Sequence, residues 1–220
     1  MKEEISATLS CFGYGYKGKV IVNGIDVGIT GGKSESKRLL LQDNPMASKA
    51  SADLKKLFCL KIGKNKIKVE CSKTSKSPND KFELSLEVSG YPAPLLFAHT
   101  TSGSLKSEKE LPIAEKAPAS FKPMFISDKA EKAVLVYVSS MNATITPSLN
   151  GKSGMTLADM PGVVVLDNVK SGKNELSISY KGTAGEEVKA VVVTPEWTKF
   201  LTLKMKDSSE KKETLTFTMR

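Results

Sequence analysis

A ten-residue segment that occurs twice is the feature that most limits what this chain can fold into. Residues 60–69 (LKIGKNKIKV) align without a gap with residues 169–178 (VKSGKNELSI), and each contains a Lys-x-Gly-Lys-Asn motif followed by an alternating segment. An Asn-Gly turn signal precedes each copy, at Asn23 and at Asn150, and an apolar run into a proline-containing corner follows each copy. The same order in both halves predicts two copies of one structural unit.

The pattern of apolar residues predicts strands along most of the chain. Apolar and polar residues alternate over 5–11, 66–71, 82–88 and 214–219, which is typical of antiparallel strands with one face buried and one in water. Units of about 100 residues are usual for β-sandwich domains. We therefore expect an all-β protein of two tandem antiparallel β-sandwiches, Ig-like or jelly-roll-like, related by internal duplication. A single continuous sandwich with coincidental turns is the alternative.

The repeat also predicts the domain boundaries. The first domain is expected at 1–114, a proline-containing linker at 115–129 and the second domain at 130–220. Hydrophobic residues make up 40% of the 220 residues, which is sufficient for one or two cores. The best helix candidate is 44–58, where Asn44-Pro45 is a possible start and Ala47, Ala50 and Leu54 share one face.

The hairpin at residues 18–28 (GKVIVNGIDVG), together with the segment 60–69, resembles two groups of accessory β-domains. One is the galactose-binding-like jelly roll attached to glycoside hydrolases, and the other is the small bacterial PEGA-type module. The second copy lacks the Val-x-Val approach to its Asn-Gly turn, where Thr146-Pro147-Ser148-Leu149 stands instead. The resemblance implies an accessory, non-catalytic β-module and transfers no ligand residue.

Lysines are concentrated in one part of the chain. Residues 55–76 contain eight lysines and one acid, Glu70, so this segment carries +7 of the total net charge of +9. If Ile67 and Val69 face the core, Lys66 and Lys68 face solvent. Either these lysines protect an exposed strand edge and keep the chain soluble, or they form a groove for a polyanion. The candidate polyanion-binding residues, called the lysine stripe below, are Lys61, Lys64, Lys66, Lys68, Lys73 and Lys76.

Nucleic-acid and sugar recognition depend on residue types that are scarce here. Arginine, which reads base edges with a planar fork, occurs only at Arg38 and Arg220, so we expect no sequence-specific nucleic-acid binding. Aromatic residues make up 6% of the chain. Residues 13–19 are expected to form a hairpin tip, with its tyrosines either packed on the sheet or stacked on a ligand. The candidate stacking platforms are Tyr14, Tyr16, Tyr91 and Trp197.

The sequence contains little of what catalysis or metal binding requires. His99 is the single histidine, so a Ser-His-Asp or Cys-His arrangement would have to use it, and we expect it at the rim of a strand. Cys11, Cys59 and Cys71 lack CxxC spacing, so we predict no metal site and no cofactor. Cys11 and Cys71 are expected as buried thiols, and a disulfide between Cys59 and Cys71 is the alternative if the chain is exported.

The function expected from these patterns is a non-catalytic structural or interaction protein, a component of a larger assembly such as a cell envelope or virion. The alternatives are a module that binds carbohydrate or another polyanion, and a hydrolase that uses a carboxylate pair. Protein partners are expected, and no transmembrane segment. The start of the sequence has no apolar leader, which favours the cytoplasm or a virion, or the envelope or secretion if a leader was removed.

Overall fold

Strands form most of the chain in the computed structural model, which describes residues 5–119, 121–127, 133–139, 142–194 and 196–219. The contacts between Cα atoms divide the chain into two units, residues 1–128 and 129–220. The all-β class predicted from the alternating segments is confirmed, with several antiparallel sheets.

Within its described residues, the first unit contains ten strands in two sheets. One sheet has the order β10-β8-β7-β1-β4-β5 and the other β3-β2-β6-β9. Neighbouring strands are antiparallel except for β10 with β8 and β4 with β5, which are parallel. The strands are β1 (Ser6–Tyr14), β2 (Tyr16–Val22), β3 (Ile25–Asp26), β4 (Ser34–Leu41), β5 (Phe58–Leu60), β6 (Gly63–Lys73), β7 (Lys81–Val88), β8 (Leu96–Thr100), β9 (Ser104–Ile113) and β10 (Met124–Ser127).

In the part of the second unit that the structure describes, nine strands also form two sheets, and all their pairings are antiparallel. The orders are β15-β11-β17-β18 and β13-β12-β16-β19, with β14 paired to β12. The strands are β11 (Val134–Val138), β12 (Ala143–Leu149), β13 (Lys152–Ser153), β14 (Leu157–Ala158), β15 (Gly162–Leu166), β16 (Gly172–Gly182), β17 (Glu187–Val193), β18 (Thr198–Lys204) and β19 (Lys211–Met219).

Alternation along the strands places every second side chain in a core. In β1, Ala7, Leu9 and Cys11 are at most 3% exposed, whereas Thr8 and Phe12, at alternate positions, are exposed. In the second unit, buried residues from both sheets belong to one hydrophobic cluster. Its members include Val134, Val136, Ile145, Leu176, Ile178, Val192, Leu203 and Phe217.

The segment predicted as a hairpin tip instead carries the chain from one sheet to the other. β1 ends at Tyr14 and β2 begins at Tyr16 in the second sheet. Gly15 between them has a φ of 69°, a conformation that favours glycine, and a Cβ there would lie 2.1 Å from Oδ1 of Asp80. The hairpin prediction is wrong because the two strands, although consecutive, pair with different neighbours.

The helix candidate over 44–58 is confirmed only in part, because the segment is helical but not as one continuous helix. The segment forms a 3₁₀ turn at Pro45–Lys49 and one α-helical turn, α1, at Ala52–Lys55, and every residue of both remains at least partly exposed. The side chains of Asn44 and Ser51 each accept a backbone hydrogen bond, from Met46 and Leu54, so a second helix start follows the first after only a few residues. Leu54 is 53% exposed, and an isolated helix without a buried face is too weak to extend.

Part of the predicted linker 115–129 is structured within the first unit. β10 lies inside it and pairs in parallel with β8, with Met124 opposite Leu96. Before β10, the hydroxyl of Tyr91 accepts a hydrogen bond from the N–H of Ala114 at 2.9 Å, and the Tyr91 ring makes an edge contact with Phe121. The segment that follows β9 is therefore held against the first unit as far as Ser127.

Asn65, the last residue of the first Lys-x-Gly-Lys-Asn motif, is fully buried and holds the start of β6. Its Oδ1 accepts a hydrogen bond from the N–H of Lys61 at 3.0 Å, and its Nδ2 donates to the carbonyl oxygens of Lys61 and Gly63 at 2.8 and 3.0 Å. Gly63 has a φ of 96°, which favours glycine. The motif thus leads into β6, which begins at its glycine, Gly63.

Asn23, in the predicted Asn-Gly turn between β2 and β3, belongs to the same network. Asn23 and Gly24 both have positive φ, 50° and 85°, as a type I′ hairpin turn requires. Nδ2 of Asn23 donates to Oδ1 of Asn65 at 2.9 Å and to the carbonyl oxygen of Cys59 at 2.7 Å, while its Oδ1 accepts from the N–H of Lys66 at 2.9 Å. Two turn signals far apart in sequence therefore form one polar cluster, called the asparagine pair below.

The second unit contains the same arrangement around Asn150 and Asn174. Asn174 is fully buried, and its Oδ1 accepts a hydrogen bond from Nδ2 of Asn150 at 2.8 Å. Asn150 has a φ of 51° in the Asn-Gly turn between β12 and β13. The backbone partners of this second asparagine pair, at 2.8 to 3.0 Å, are Asn168, Lys170, Gly172 and Glu175.

Candidate functional site

The most strongly charged surface of the first unit is the solvent face of β2, β6 and β9, called the charged face below. In β6, Ile67, Val69 and Cys71 are at most 3% exposed, so Lys66 and Lys68 point to the opposite side, as the alternation predicts. Its members are Lys17, Lys19, Lys64, Lys66, Lys68, Glu70, Lys106, Glu108 and Glu110.

Acids on β9 pair with two lysines of the lysine stripe. Nζ of Lys64 lies 2.8 Å from Oε1 of Glu110, and Nζ of Lys66 lies 2.8 Å from Oε1 of Glu108. Both pairs run diagonally across the ladder, since Lys66 is directly opposite Glu110 in register. The hydrogen bond that each lysine donates to its glutamate raises the pKa of that lysine. This end of the charged face is consequently an exposed ladder of opposite charges.

The other end of the charged face has a surplus of lysine around Glu70. Lys68 contacts Oε1 of Glu70 at 2.8 Å and Lys106 at 3.8 Å, while Lys19 on β2 is its direct neighbour in register. The hydrogen bond from Lys68, followed by the charges of Lys106 and Lys19, holds the pKa of Glu70 below its usual value. Lys17 is two residues before Lys19 on the same face. These four lysines around one glutamate are called the basic end below.

The remaining three residues of the lysine stripe lie elsewhere. Lys61 is exposed in the connection between β5 and β6, and Lys76 is exposed in the loop after β6. Lys73 points away from the charged face: its Nζ lies 3.5 Å from Oδ2 of Asp80, whose side chain is fully buried. Ser75 donates a hydrogen bond to the same carboxylate at 2.6 Å. Lys73 therefore contributes to the packing of the β6–β7 loop.

The four candidate aromatic platforms differ in exposure and in the residues that they contact. Tyr14 is 60% exposed at the end of β1, whereas Tyr16 is 3% exposed and its ring centroid lies 6.2 Å from that of Phe82. The hydroxyl of Tyr91 accepts the hydrogen bond from the N–H of Ala114 described above. In the second unit, Trp197 is partly buried against the hydrophobic cluster and makes an edge contact with Phe217 at 6.1 Å.

The cysteines and the histidine lie in strands. Cys11, Cys59 and Cys71 all fall within the described ranges and are buried thiols, so the alternative disulfide between Cys59 and Cys71 is not formed. Burial raises the pKa of Cys11 and of Cys59 to about 12. His99 is half-buried in β8, with Glu83 of β7 as its partner in register.

A groove of about 900 Å³ is present in the first unit, near the start of β1 and the end of β4. Its lining is partly apolar, with Ile5, Leu41 and Ile62, and partly charged, with Asp43 and Glu115. Searched over the described residues only, histidine, cysteine and acidic side chains form no group of three that could hold a metal ion. Within the same ranges, no helix has the length and apolar character needed to cross a membrane.

Lys17, Lys19 and Lys106 of the basic end were missed by the sequence analysis. The spacing Lys17-x-Lys19 is visible in the sequence, but the register that places β2 and β9 on either side of β6 is a property of the fold. Comparison with family models, with curated proteins and with solved structures finds no match to this chain.

Proposed function

We propose that this chain is a non-catalytic interaction protein built from two β-sandwich modules that arose by internal duplication, and that it acts as a component of a larger assembly. Strand order supports the duplication. The order β8-β7-β1-β4 in the first unit corresponds, strand by strand along the chain, to β18-β17-β11-β15 in the second. The other sheets correspond in the same way, β3-β2-β6-β9 to β13-β12-β16-β19.

The asparagine pairs strengthen this interpretation. Asn23 with Asn65 and Asn150 with Asn174 make corresponding hydrogen bonds, including those to the residue four before the buried asparagine. A buried asparagine side chain with this many polar partners is kept in a fold only if its hydrogen-bonding groups all have partners. The hydrophobic cluster of the second unit, which takes residues from both sheets, favours a sandwich architecture.

One contrast carries the functional proposal. The strand order and the asparagine pair are the same in both units, whereas the solvent faces of the corresponding sheets differ. The face of β12, β16 and β19 that corresponds to the charged face is rich in hydroxyl groups and is called the hydroxyl face below. A duplicated scaffold that keeps its internal network while its surfaces diverge is expected of modules whose function lies in their contacts. The hydroxyl face comprises Thr144, Thr146, Ser148, Ser177 (which is buried), Ser179, Thr214, Thr216 and Thr218, together with the charged residues Lys173, Glu175, Lys181 and Lys212.

Site-directed photo-cross-linking tests the proposal. A photo-reactive residue is placed at Lys66 on the charged face or at Thr144 on the hydroxyl face, and the protein is irradiated in cells of its source. Lys76, exposed in a loop, is the matched control position. We expect one defined protein adduct from at least one face position and none from Lys76. Equal, diffuse adducts from all three positions would contradict an assembly role.

The basic end favours a second candidate function, binding of an acidic polysaccharide or another polyanion. Lys17, Lys19, Lys68 and Lys106 surround a single glutamate, whereas Lys64 and Lys66 each have an acidic partner. Several lysines with one compensating acid attract a polyanion in a salt-dependent manner.

Binding of heparin across a salt series tests this candidate with two matched variants. One changes Lys17 and Lys19 to Ser, and the other changes Lys64 and Lys66 to Ser. Both variants remove two positive charges from the same face. If the basic end is the site, the first variant weakens binding by roughly tenfold and the second much less, because Lys64 and Lys66 are already paired. Equal loss in both would indicate attraction by net charge alone.

A further inference from the structure

The two modules differ most at the outer edge of their last strands. β9 and β19 are the terminal strands of their sheets in the described part of the chain, and each pairs with the corresponding central strand, β6 or β16. The N–H and C=O groups on the outer side of a terminal strand can pair with a further strand unless the sequence prevents it.

The hydrogen-bond pattern identifies which β19 residues have their backbone groups on that outer side. The N–H of Asn150 donates to the carbonyl of its register partner Glu175 at 2.8 Å, so Glu175 and every second residue after it in β16 bond to β12. The residues between them, such as Leu176, bond to β19, where Leu215 is the partner. Backbone groups in an antiparallel strand alternate in direction. The β19 residues whose groups point outward are therefore Lys212, Thr214, Thr216 and Thr218.

The same argument applied to β9 gives an edge that resists pairing. The N–H of Lys73 donates to the carbonyl of Gly103 at 3.1 Å, so the residues with outward groups in β9 are the even-numbered ones. They include Pro112, which has no N–H to donate, and the charged residues Lys106, Glu108 and Glu110. Charged residues and proline are the usual protection of an edge strand. The corresponding edge of β19 has one lysine and three threonines.

We propose that the outer edge of β19 pairs antiparallel with the same edge of a second copy of this chain. This inference rests on the proposed function, since it names one surface and one partner of the assembly. In this arrangement Thr214 of each copy lies opposite Thr216 of the other copy. The same register places Lys212 of each copy opposite Thr218 of the other. All four pairs avoid like charges, and threonine favours strands and cross-strand contact. About eight backbone hydrogen bonds would join the two sheets into one.

Two variants of opposite charge provide the test. Thr214→Lys with Thr216→Lys places lysine opposite lysine in the dimer, and Thr214→Glu with Thr216→Glu places glutamate opposite glutamate. Positions 214 and 216 are both exposed in the monomer, so it can accommodate either charge. Thr144→Lys, on the same face but away from this edge, is the control.

Sedimentation equilibrium over about 1 to 500 μM measures the dissociation constant of the full chain. We expect dimers for the wild type and the Thr144→Lys control, at least a tenfold weaker dimer for each charged variant, and recovery when the lysine and glutamate variants are mixed. Circular dichroism checks that all of them fold. If a charged variant does not fold, Thr216→Pro replaces it, because the N–H of Thr216 has no role inside the sheet.

A wild type that is monomeric throughout this range, or a dimer that the charged variants leave unchanged, would overturn the proposal. If the wild type does not self-associate and the charged variants lose a cross-link to a different protein, the partner at this edge is not a second copy, and the proposal is overturned. A monomeric chain that still gives a defined adduct from Lys66 or Thr144 would refute this inference and leave the proposed function intact.

Discussion

The asparagine pairs should be among the most sensitive positions in the chain. The side chain of Asn65 takes part in four hydrogen bonds, to the N–H and C=O of Lys61, the C=O of Gly63 and the amide of Asn23. A hydrogen bond contributes about 1 kcal/mol net, so Asn65→Ala should cost about 4 kcal/mol because all four of these hydrogen bonds are lost. Asn174→Ala should cost a similar amount, since its network is the same.

Urea unfolding followed by circular dichroism measures both losses. For Asn174→Ala, the fluorescence of Trp197, the one tryptophan of the chain, gives a second measurement within the same unit. Asn79→Ala, at an exposed position in the loop before β7, is the matched control and should change the free energy of unfolding by less than about 0.5 kcal/mol. If Asn65→Ala and Asn174→Ala cost no more than Asn79→Ala, the asparagine pairs do not stabilise the fold as argued.

Two further predictions concern buried ionisable groups. Lys73→Met should destabilise the first unit by about 3 to 5 kcal/mol, because it leaves the carboxylate of Asp80 buried without its cation. Adding Asp80→Asn should restore part of the lost stability, and urea unfolding measures both changes. Burial raises the pKa of Cys11 and Cys59 from 9.0 to about 12, so the native state keeps protons that the unfolded chain releases above pH 9. The contribution of these two thiols to stability should therefore be complete below pH 9 and decline toward pH 12. Alkylation of the thiols by iodoacetamide at pH 8 should be slow until urea unfolds the protein. Rapid labelling of both thiols in the native protein would contradict this prediction.

The strands could be predicted from sequence because their signal is local. In Lys66, Ile67, Lys68 and Val69, polarity alternates with the period of the strand, and burial follows it residue by residue. The helix candidate over 44–58 rests on the same local basis and forms only two short helical turns, because its apolar positions have no surface to pack against. Leu54, central to that pattern, is exposed.

The candidate site could be predicted only in part, because charge depends on neighbours in space. The sequence places Lys64 and Lys66 in a basic segment, yet the acids that pair with them, Glu108 and Glu110, follow more than forty residues later on β9. Conversely, Lys19 and Lys106 meet at Glu70 from two other strands. Strand register, which no local pattern encodes, decides which charges are compensated.

The position of β10 has a consequence for the order of events during synthesis. β10 is the last element of the first unit in the chain and lies at the end of its sheet, next to β8. A nascent chain that has emerged only as far as β9 contains both sheets but leaves the outer side of β8 uncovered. Residues 124–127 must therefore leave the ribosome before the first unit is complete, and until then the outer edge of β8 can mispair with another strand.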